Sequence, residues 1–317
     1  MYSKKHSPFI HAGLFIITIA TTLIAGMEWI TAKPGPHDIF SLSVALPYSI
    51  SILFIIGVHE FGHYFAARYH KVDVTLPYFI PFPPIVGFLN FGTMGAVIRT
   101  RSVVYSNRAM FDIGVAGPLA GFVAALIVLI FGYSNLPDSQ YILAIHPDYF
   151  SPEYGQNGVS LQFGSSIIFE IFNSIFNTPT NFIPPMTEIY HYPYLTAGWL
   201  GLFITAMNMI PVGQLDGGHI VYSMFNVKKH EAIASISMII MILLGVFGAL
   251  DIFLELGLSF GWMGWLFWAL ILNFVIKVKH PPVVVFQPLD STRMMIGYLS
   301  LFILIISFTP SPFVALF

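Results

Sequence analysis

The sequence contains no cysteine and few charged residues. Asp, Glu, Lys and Arg together make up 9% of its 317 residues. Without cysteine there is no disulfide framework and no thiolate metal site, so a transition metal would be bound by His, Met or carboxylate groups. An average soluble domain has about 25% charged residues. The low charge therefore excludes an ordinary soluble protein, and no basic patch interleaved with aromatic residues indicates nucleic-acid binding.

Apolar residues make up 56% of the chain and are concentrated in runs close to the roughly 20 residues that cross a bilayer. We predict about seven transmembrane helices, at 9–30, 39–67, 109–132, 194–213, 232–256, 259–276 and 294–309. Lys4 and Lys5 precede the first run, as in a signal peptide. Because that run is longer than the roughly 7 to 15 apolar residues of a signal peptide, we interpret it as a membrane anchor.

The positions of Lys and Arg predict an orientation, because cytoplasmic loops are enriched in these residues. With the N-terminus inside, seven spans place every Lys and Arg except Lys33 on the cytoplasmic side. Residues 133–193, here called the outer segment, contain no Lys or Arg and include one predicted helix near 164–176. The prediction is a multi-pass protein of the cell membrane, with the N-terminus and the active site toward the cytoplasm.

The prediction for domain organisation is a single membrane-embedded domain at 1–317. Its core lies at about 39–225, and the C-terminal helices lie at about 232–309.

Residues 76–100 differ from the apolar runs. They contain four prolines that exclude a continuous helix: Pro77, Pro81, Pro83 and Pro84. Residues 93–98 are a short apolar run next to glycines, which predicts a strand or hairpin. Irregular backbone at membrane depth is tolerated only where protein or a water-filled cavity covers it. The predicted fold class is therefore an all-α polytopic membrane protein with a short re-entrant β-like segment near 76–100; an ordinary interfacial loop is the alternative.

His59, Glu60 and His63 form the pattern His-Glu-x-x-His inside the second predicted span. Residues four apart lie on one face of a helix, so both imidazoles can reach one metal ion while Glu60 can contact a water molecule on that metal. Zinc lowers the pKa of such a water to about 7, and the carboxylate accepts its proton as it attacks a carbonyl. The pattern can arise by chance, but a glutamate in an apolar span is costly and by default indicates a functional site.

A third ligand is predicted at Asp216, within residues 208–219 at the end of the fourth predicted span. Catalytic zinc has three protein ligands and one open position. One proline and three glycines in this stretch loosen the helix, so that Asp216 can turn toward a neighbouring helix. In the predicted orientation the second and fourth spans end on the same side of the membrane. Two alternatives are Asp216 as a helix cap and His219 as the ligand.

Two further motifs lie in apolar spans. Asn208 is predicted to hydrogen-bond a substrate carbonyl or the oxyanion that forms during attack. An interhelical hydrogen bond is the alternative role for this side chain. Gly117 and Gly121 lie four apart in the stretch 116–121, which predicts close packing of one helix on another.

At these motifs the chain resembles the site-2 protease family of intramembrane zinc metalloproteases, peptidase family M50. The resemblance rests on residues 59–63, 95–98, 116–121, 208 and 215–217. It implies that His59, His63 and Asp216 bind one Zn²⁺, that Glu60 is the general base and that Asn208 helps to hold the substrate. It also implies cleavage of membrane-anchored proteins, often transmembrane anti-sigma factors or transcription-factor precursors, after another protease has trimmed them.

The chain departs from many members of that family in one respect. No inserted stretch resembles the peptide-binding PDZ modules that many of them carry, so the sequence does not indicate how substrates are screened. The tail from about residue 281 resembles the shorter bacterial and plastid members.

A peptide bond in a substrate helix is hidden by intrahelical hydrogen bonds, so the substrate has to unwind before hydrolysis. We predict that the strand at 93–98 pairs with the unwound segment, with Gly95 and Val97 as substrate-binding residues. The predicted partners are single-span membrane proteins within the lipid bilayer.

Two other classes of protein are alternatives to a protease. A metal transporter or channel would use His59, Glu60 and His63 as an ion path, but further ionisable residues and internal repeats are then expected, and neither is visible. A catalytically silent scaffold that binds membrane helices would tolerate Glu60→Gln.

Overall fold

The structure is a computed structural model that describes residues 8–33, 38, 41–83, 85, 89–154, 160–179, 181–256 and 260–316. Most of these residues are helical. The α-helices are α1 (Pro8–Thr31), α2 (Leu46–Tyr69), α3 (Asn107–Ser134), α4 (Ser139–Ile145), α5 (Ile167–Phe176), α6 (Pro193–Met209), α7 (Asp216–Phe225), α8 (Val227–Leu254), α9 (Gly264–Ile271) and α10 (Ser291–Ser307). The strands are β1 (Tyr78–Pro81), β2 (Thr93–Val97), β3 (Ser160–Phe163) and β4 (Phe313–Leu316).

Each of the seven apolar runs falls on a helix, but fewer than seven helices are long enough to cross a membrane. Among the described residues four helices qualify by length and composition: α1, α2 with its preceding 3₁₀ turn Ser41–Ala45, α3 and α8. The polytopic helical architecture is confirmed at that level. The predicted span at 194–213 extends beyond the observed helix, because α6 ends at Met209. Pro211 and Gly213, which has a φ of +56°, follow that end.

The core is built where α2 packs against α3 and α6. Small residues allow the close approach that membrane helices need. A Cβ at Gly62 of α2 would lie 2.6 Å from the carbonyl oxygen of Ala116 in α3, and one at Gly201 of α6 would lie 2.8 Å from Cδ1 of Ile55. Large buried side chains such as Leu129 and Trp199 fill the remaining space. The three helices are therefore fixed at short separations, as a site shared between neighbouring helices requires.

An ion pair fixes the last helix to this core. Arg293 at the start of α10 donates from Nε and one Nη to the two carboxylate oxygens of Asp112 in α3, at 2.8 and 2.7 Å. His70, just after α2, contacts the same carboxylate at 2.8 Å. Paired hydrogen bonds between Arg and carboxylate are directional as well as strong. The ends of α2, α3 and α10 are thereby tied together.

The strand predicted at 93–98 is present as β2. It pairs antiparallel with β1, with Tyr78 opposite Val97 and Phe79 opposite Ala96. The hairpin packs against α1 and α2, so protein covers part of this irregular backbone. Its re-entrant placement at membrane depth stays a prediction.

The outer segment carries the predicted helix as α5. It also contains β3, which pairs antiparallel with β4 near the C-terminus. That pairing joins two parts of the chain that are far apart in sequence, and no local pattern indicates it.

Candidate metal centre and active site

His59, His63 and Asp216 meet at the centre of the α2, α3 and α7 packing. The Nε2 atoms of the two histidines are 3.1 Å apart, and Oδ2 of Asp216 lies 3.3 Å from each of them. The two imidazoles are on one face of α2, one turn apart, and both are buried. The fold therefore brings the three metal-type ligands predicted from the sequence to one point.

The spacing of these three atoms fits a tetrahedral metal ion. Zinc binds nitrogen and carboxylate oxygen at about 2.0 to 2.1 Å, so two ligand atoms of a tetrahedron lie about 3.3 Å apart. The observed separations of 3.1 to 3.3 Å match that value. Burial acts to raise the pKa of Asp216, but the facing imidazoles outweigh it and lower the pKa below its ordinary value. The carboxylate is thus in the form that binds a metal.

Helix α3 orients the histidine rings. Nδ1 of His63 donates to the carbonyl oxygen of Ile113 at 2.7 Å, which leaves the lone pair of Nε2 for a metal. A Cβ at Gly117 would overlap the ring of His63, and one at Gly121 would lie 3.0 Å from Nδ1 of His59. The glycines that the sequence assigned to helix packing therefore also make room for the two rings. The equal spacing of four residues in both motifs is the sequence signal from which this role could have been predicted.

The stretch after α6 places Asp216. The N-cap residue of α7 is Leu215, and Asp216 is its first residue, so the cap interpretation of Asp216 is not supported. A Cβ at Gly217 would overlap the carbonyl of Met209, and one at Gly218 would overlap the carbonyl of Gly213. Only glycine fits at these two positions, where the start of α7 packs closely against the end of α6 and the turn after it, and this places Asp216 beside the two histidines.

The alternative ligand His219 points elsewhere. Its Nδ1 is 2.8 Å from Nε2 of His280, and the two rings contact edge to face. Burial lowers the pKa of His219 to about 4, so the side chain is neutral at neutral pH. His219 is not among the atoms that converge on the candidate metal position.

Glu60 and Asn208 lie at the edge of the ligand group. Glu60 is buried, and the backbone of Ile98, just after β2, is within hydrogen-bonding reach of its carboxyl group. Nδ2 of Asn208 is 3.4 Å from Nε2 of His59. Glu60 in α2 and Asn208 in α6, the predicted base and the predicted substrate contact, are therefore both close to the ligand residues.

Gly95 and Val97 are on β2 and are not among the converging ligand residues. Gly95 has a φ of +94° and open space around its Cα, and the Val97 side chain is 49% exposed. They are connected to the site through Ile98, which continues the strand to Glu60. Their role in binding substrate stays a prediction.

The sequence did not indicate a second group of ligands in the outer segment. His146, Glu188 and His191 bring one ligand atom each to a common point. Glu188 and His191 are three residues apart, but His146 lies 45 residues before His191, so only the folded structure brings the three together.

Helices of membrane-spanning length that enclose two histidines, an aspartate and a neighbouring glutamate are the arrangement expected of a membrane-embedded metallopeptidase. A model of peptidase family M50 matches residues 47–247, which includes every residue of the candidate centre. The chain belongs to this family, as its resemblance to the site-2 proteases predicted.

Curated relatives carry names of the same kind. The rice protein (Oryza sativa subsp. indica) named probable zinc metalloprotease EGY2, chloroplastic, is 31% identical over 184 residues, which is 58% of this chain and 30% of that protein. The Arabidopsis thaliana protein named probable zinc metalloprotease EGY1, chloroplastic, is 33% identical over 188 residues, again 58% and 30%. The Arabidopsis protein named probable zinc metallopeptidase EGY3, chloroplastic, is 25% identical over 236 residues, 74% of this chain and 39% of that protein.

The match to the first two relatives covers about 30% of their length. The predicted enzyme class and the predicted zinc cofactor agree with their names. The names place these relatives in chloroplasts, whereas the sequence of this chain predicts a cell membrane. No solved structure matches the chain.

Proposed function

We propose that this chain is an intramembrane zinc endopeptidase that cuts membrane-anchored proteins. His59, His63 and Asp216 would hold the zinc ion, and Glu60 would be the general base. The observation that carries this proposal is the convergence of the three ligand atoms within 3.3 Å of one another. The buried Glu60 directly follows the ligand His59 in α2.

The reaction follows from the chemistry of these groups. A bound zinc ion supplies Lewis acidity, which polarises the scissile carbonyl and makes nearby water more acidic. Glu60 takes a proton from the attacking water and delivers it to the leaving amine. The Asn208 amide, next to His59, donates to the carbonyl oxygen as negative charge develops there. Water is consumed, and one peptide bond becomes a carboxylate and an amine.

The reaction is proposed to depend on bound zinc. A chelator such as EDTA should abolish cleavage of a single-span reporter by the purified protein in detergent, and added zinc should restore it. Magnesium should not restore it, because that ion prefers oxygen ligands and octahedral geometry. The measurement is the rate at which the reporter fragments form. Full activity after complete removal of zinc would overturn the proposed mechanism.

The substrate is proposed to bind along β2. Strand β2 leads into Ile98, whose backbone is within reach of the Glu60 carboxyl. An unwound substrate segment that adds to this strand would therefore bring a peptide bond toward Glu60. The exposed Val97 side chain would contact that segment.

Val97→Pro should reduce cleavage about fivefold or more. Proline removes a backbone N–H and fixes φ, and one hydrogen bond contributes about 1 kcal/mol. Val97→Ala is the matched control, because it shortens the side chain and keeps the N–H. The test is placed at Val97 since the φ of +94° at Gly95 is itself incompatible with proline.

The measurements are the kcat/KM for the reporter and the zinc content of each variant. We expect equal zinc in both variants and a lower kcat/KM for Val97→Pro than for Val97→Ala. Equal cleavage by the two variants would contradict strand addition at β2 and leave the zinc mechanism untouched.

Regulated intramembrane proteolysis of single-span proteins is the proposed biological setting. The support is the family membership and four helices able to cross a membrane. The Lys and Arg distribution favours an active site toward the side that holds the N-terminus. The membrane in question is proposed to be a cell membrane, or a chloroplast membrane if this chain shares the location named for its relatives.

A further inference from the structure

Three side chains of the outer segment form a second group of metal-type ligands. His146 directly follows α4. Glu188 immediately precedes the 3₁₀ turn Ile189–His191, and His191 is the last residue of that turn, just before α6. Nε2 of His146 is 3.0 Å from Nε2 of His191. Oε2 of Glu188 lies 3.5 Å from the His191 nitrogen and 3.9 Å from the His146 nitrogen. Parts of the outer segment that are separate along the chain thus meet at one point.

These separations are close to those of a tetrahedral metal site. The expected distance between two ligand atoms around zinc is about 3.3 Å, and the three observed values lie on both sides of it. Two histidines with one carboxylate are also a ligand set that suits zinc. The group therefore resembles the candidate catalytic centre in composition and in size.

Two of the three ligands are already held by partners outside the group. Nδ1 of His191 donates to the carbonyl oxygen of Ile30 at the end of α1, at 2.6 Å, so its Nε2 carries the free lone pair. Oε1 of Glu188 accepts a hydrogen bond from the Tyr154 hydroxyl at 3.0 Å. Metal-binding His and carboxylate side chains are usually oriented by such outer hydrogen bonds. The free ligand atoms then face one another.

The Oε2 atom of Glu188 is the strongest indication that something is bound. It is buried, and among the described residues no donor forms a hydrogen bond to it. Glu188 as a whole is 3% exposed and His191 is 0% exposed. A buried carboxylate oxygen without a partner costs free energy that a bound cation would offset.

No Lys or Arg of the outer segment can neutralise the negative charge of Glu188, because the outer segment contains neither residue type.

We propose that His146, Glu188 and His191 bind a second transition-metal ion of the zinc type, which fastens the outer segment to the helices. His191 is anchored to α1 through Ile30, and α6 begins at Pro193. His146 belongs to the other end of the cluster, after α4. One ion would therefore join three parts of the protein on the side opposite the candidate active site. The 17 residues of α6 separate the two centres by about 25 Å.

The zinc content of purified variants tests this proposal. His146→Ala and Glu188→Gln, equilibrated with a zinc buffer in detergent, should each bind one zinc ion fewer per chain than the wild type. Glu153→Gln is the matched control, because Glu153 is an exposed acidic residue of the same segment. His146 is the safer position for folding, since its side chain is 28% exposed. A comparison among variants stays valid whether or not the candidate active site retains its own ion.

Protease protection provides the second readout. Phe150, 63% exposed, lies between His146 and Tyr154 and is a site for chymotrypsin. Zinc should slow cleavage there in the wild type and in Glu153→Gln, and should have no effect in His146→Ala. Equal zinc contents in all four proteins would overturn the proposal, because the cluster would then be held by hydrogen bonds alone. Equal zinc protection in wild type and His146→Ala would overturn the fastening role.

Discussion

Glu60→Gln should lose about 10²- to 10⁴-fold in kcat for reporter cleavage while keeping its zinc, because this is the range that a general base contributes. The amide of glutamine is nearly the same size as the carboxylate but cannot accept the proton of the attacking water. Glu60 is not among the three converging ligand atoms, so metal binding does not need its charge. The measurement is the single-turnover cleavage rate together with zinc per chain.

A matched comparison for this variant is Glu28→Gln. Glu28 lies in α1 and accepts a hydrogen bond from Asn90, so it is a membrane-helix glutamate outside the candidate centre. Its cleavage rate should stay close to that of the wild type. Full activity in Glu60→Gln would remove the general-base role and favour a protein that binds membrane helices without cutting them.

Gly117→Ala should abolish zinc binding at the candidate centre, and with it cleavage. The added Cβ would overlap the ring of His63. The backbone of α3 is not free to move away from that ring, because α3 also packs against α6 and α7. His63 would have to leave its position and lose its bond to Ile113. Loss of an orienting partner alone lowers metal affinity about 10- to 100-fold, and displacing a ligand should cost at least as much.

Alanine substitutions at two other glycines, with less steric conflict than at Gly117, provide a graded comparison. Gly121→Ala should give a smaller loss, since its Cβ would lie 3.0 Å from Nδ1 of His59 and a slight shift relieves the contact. Gly13→Ala in α1 is the control, because nothing lies within 4 Å of its added Cβ. The measurements are the zinc dissociation constant and the reporter cleavage rate. Gly117→Ala with zinc affinity equal to that of Gly13→Ala would contradict the role of α3 in packing against the histidine rings.

The sequence predicted those parts of the site that depend on local spacing. His59 and His63 are one helical turn apart, so the sequence alone predicted that both side chains lie on the same face of the helix. Asp216 required a second step, the orientation of the spans, and the structure brings it to the same point. The cost of polar groups in apolar helices also indicated Glu60 and Asn208, whose roles as base and substrate contact stay predictions.

Other features could not be predicted because they depend on contacts between distant residues. The pairing of β3 with β4 has no local pattern, and neither does the group of His146, Glu188 and His191. Of the seven predicted spans, four are helices of membrane-spanning length among the described residues, and the other three stay predictions. Hydropathy also does not indicate where a proline or a turn ends a helix, as at the end of α6. The role of Gly117 and Gly121 was only half predicted, since packing was expected but the partner was unknown.

Because the two histidines face two glycines, helices α2 and α3 can combine in only one axial alignment. His63 lies against Gly117 and His59 against Gly121, so the two helices run in opposite directions with equal steps of four residues. Inserting one residue inside either motif would rotate the remainder of that helix by about 100° and turn a side chain toward an imidazole. A change in the spacing of one motif would therefore need a matching change in the other, although residues 64–116 separate the two motifs in the sequence.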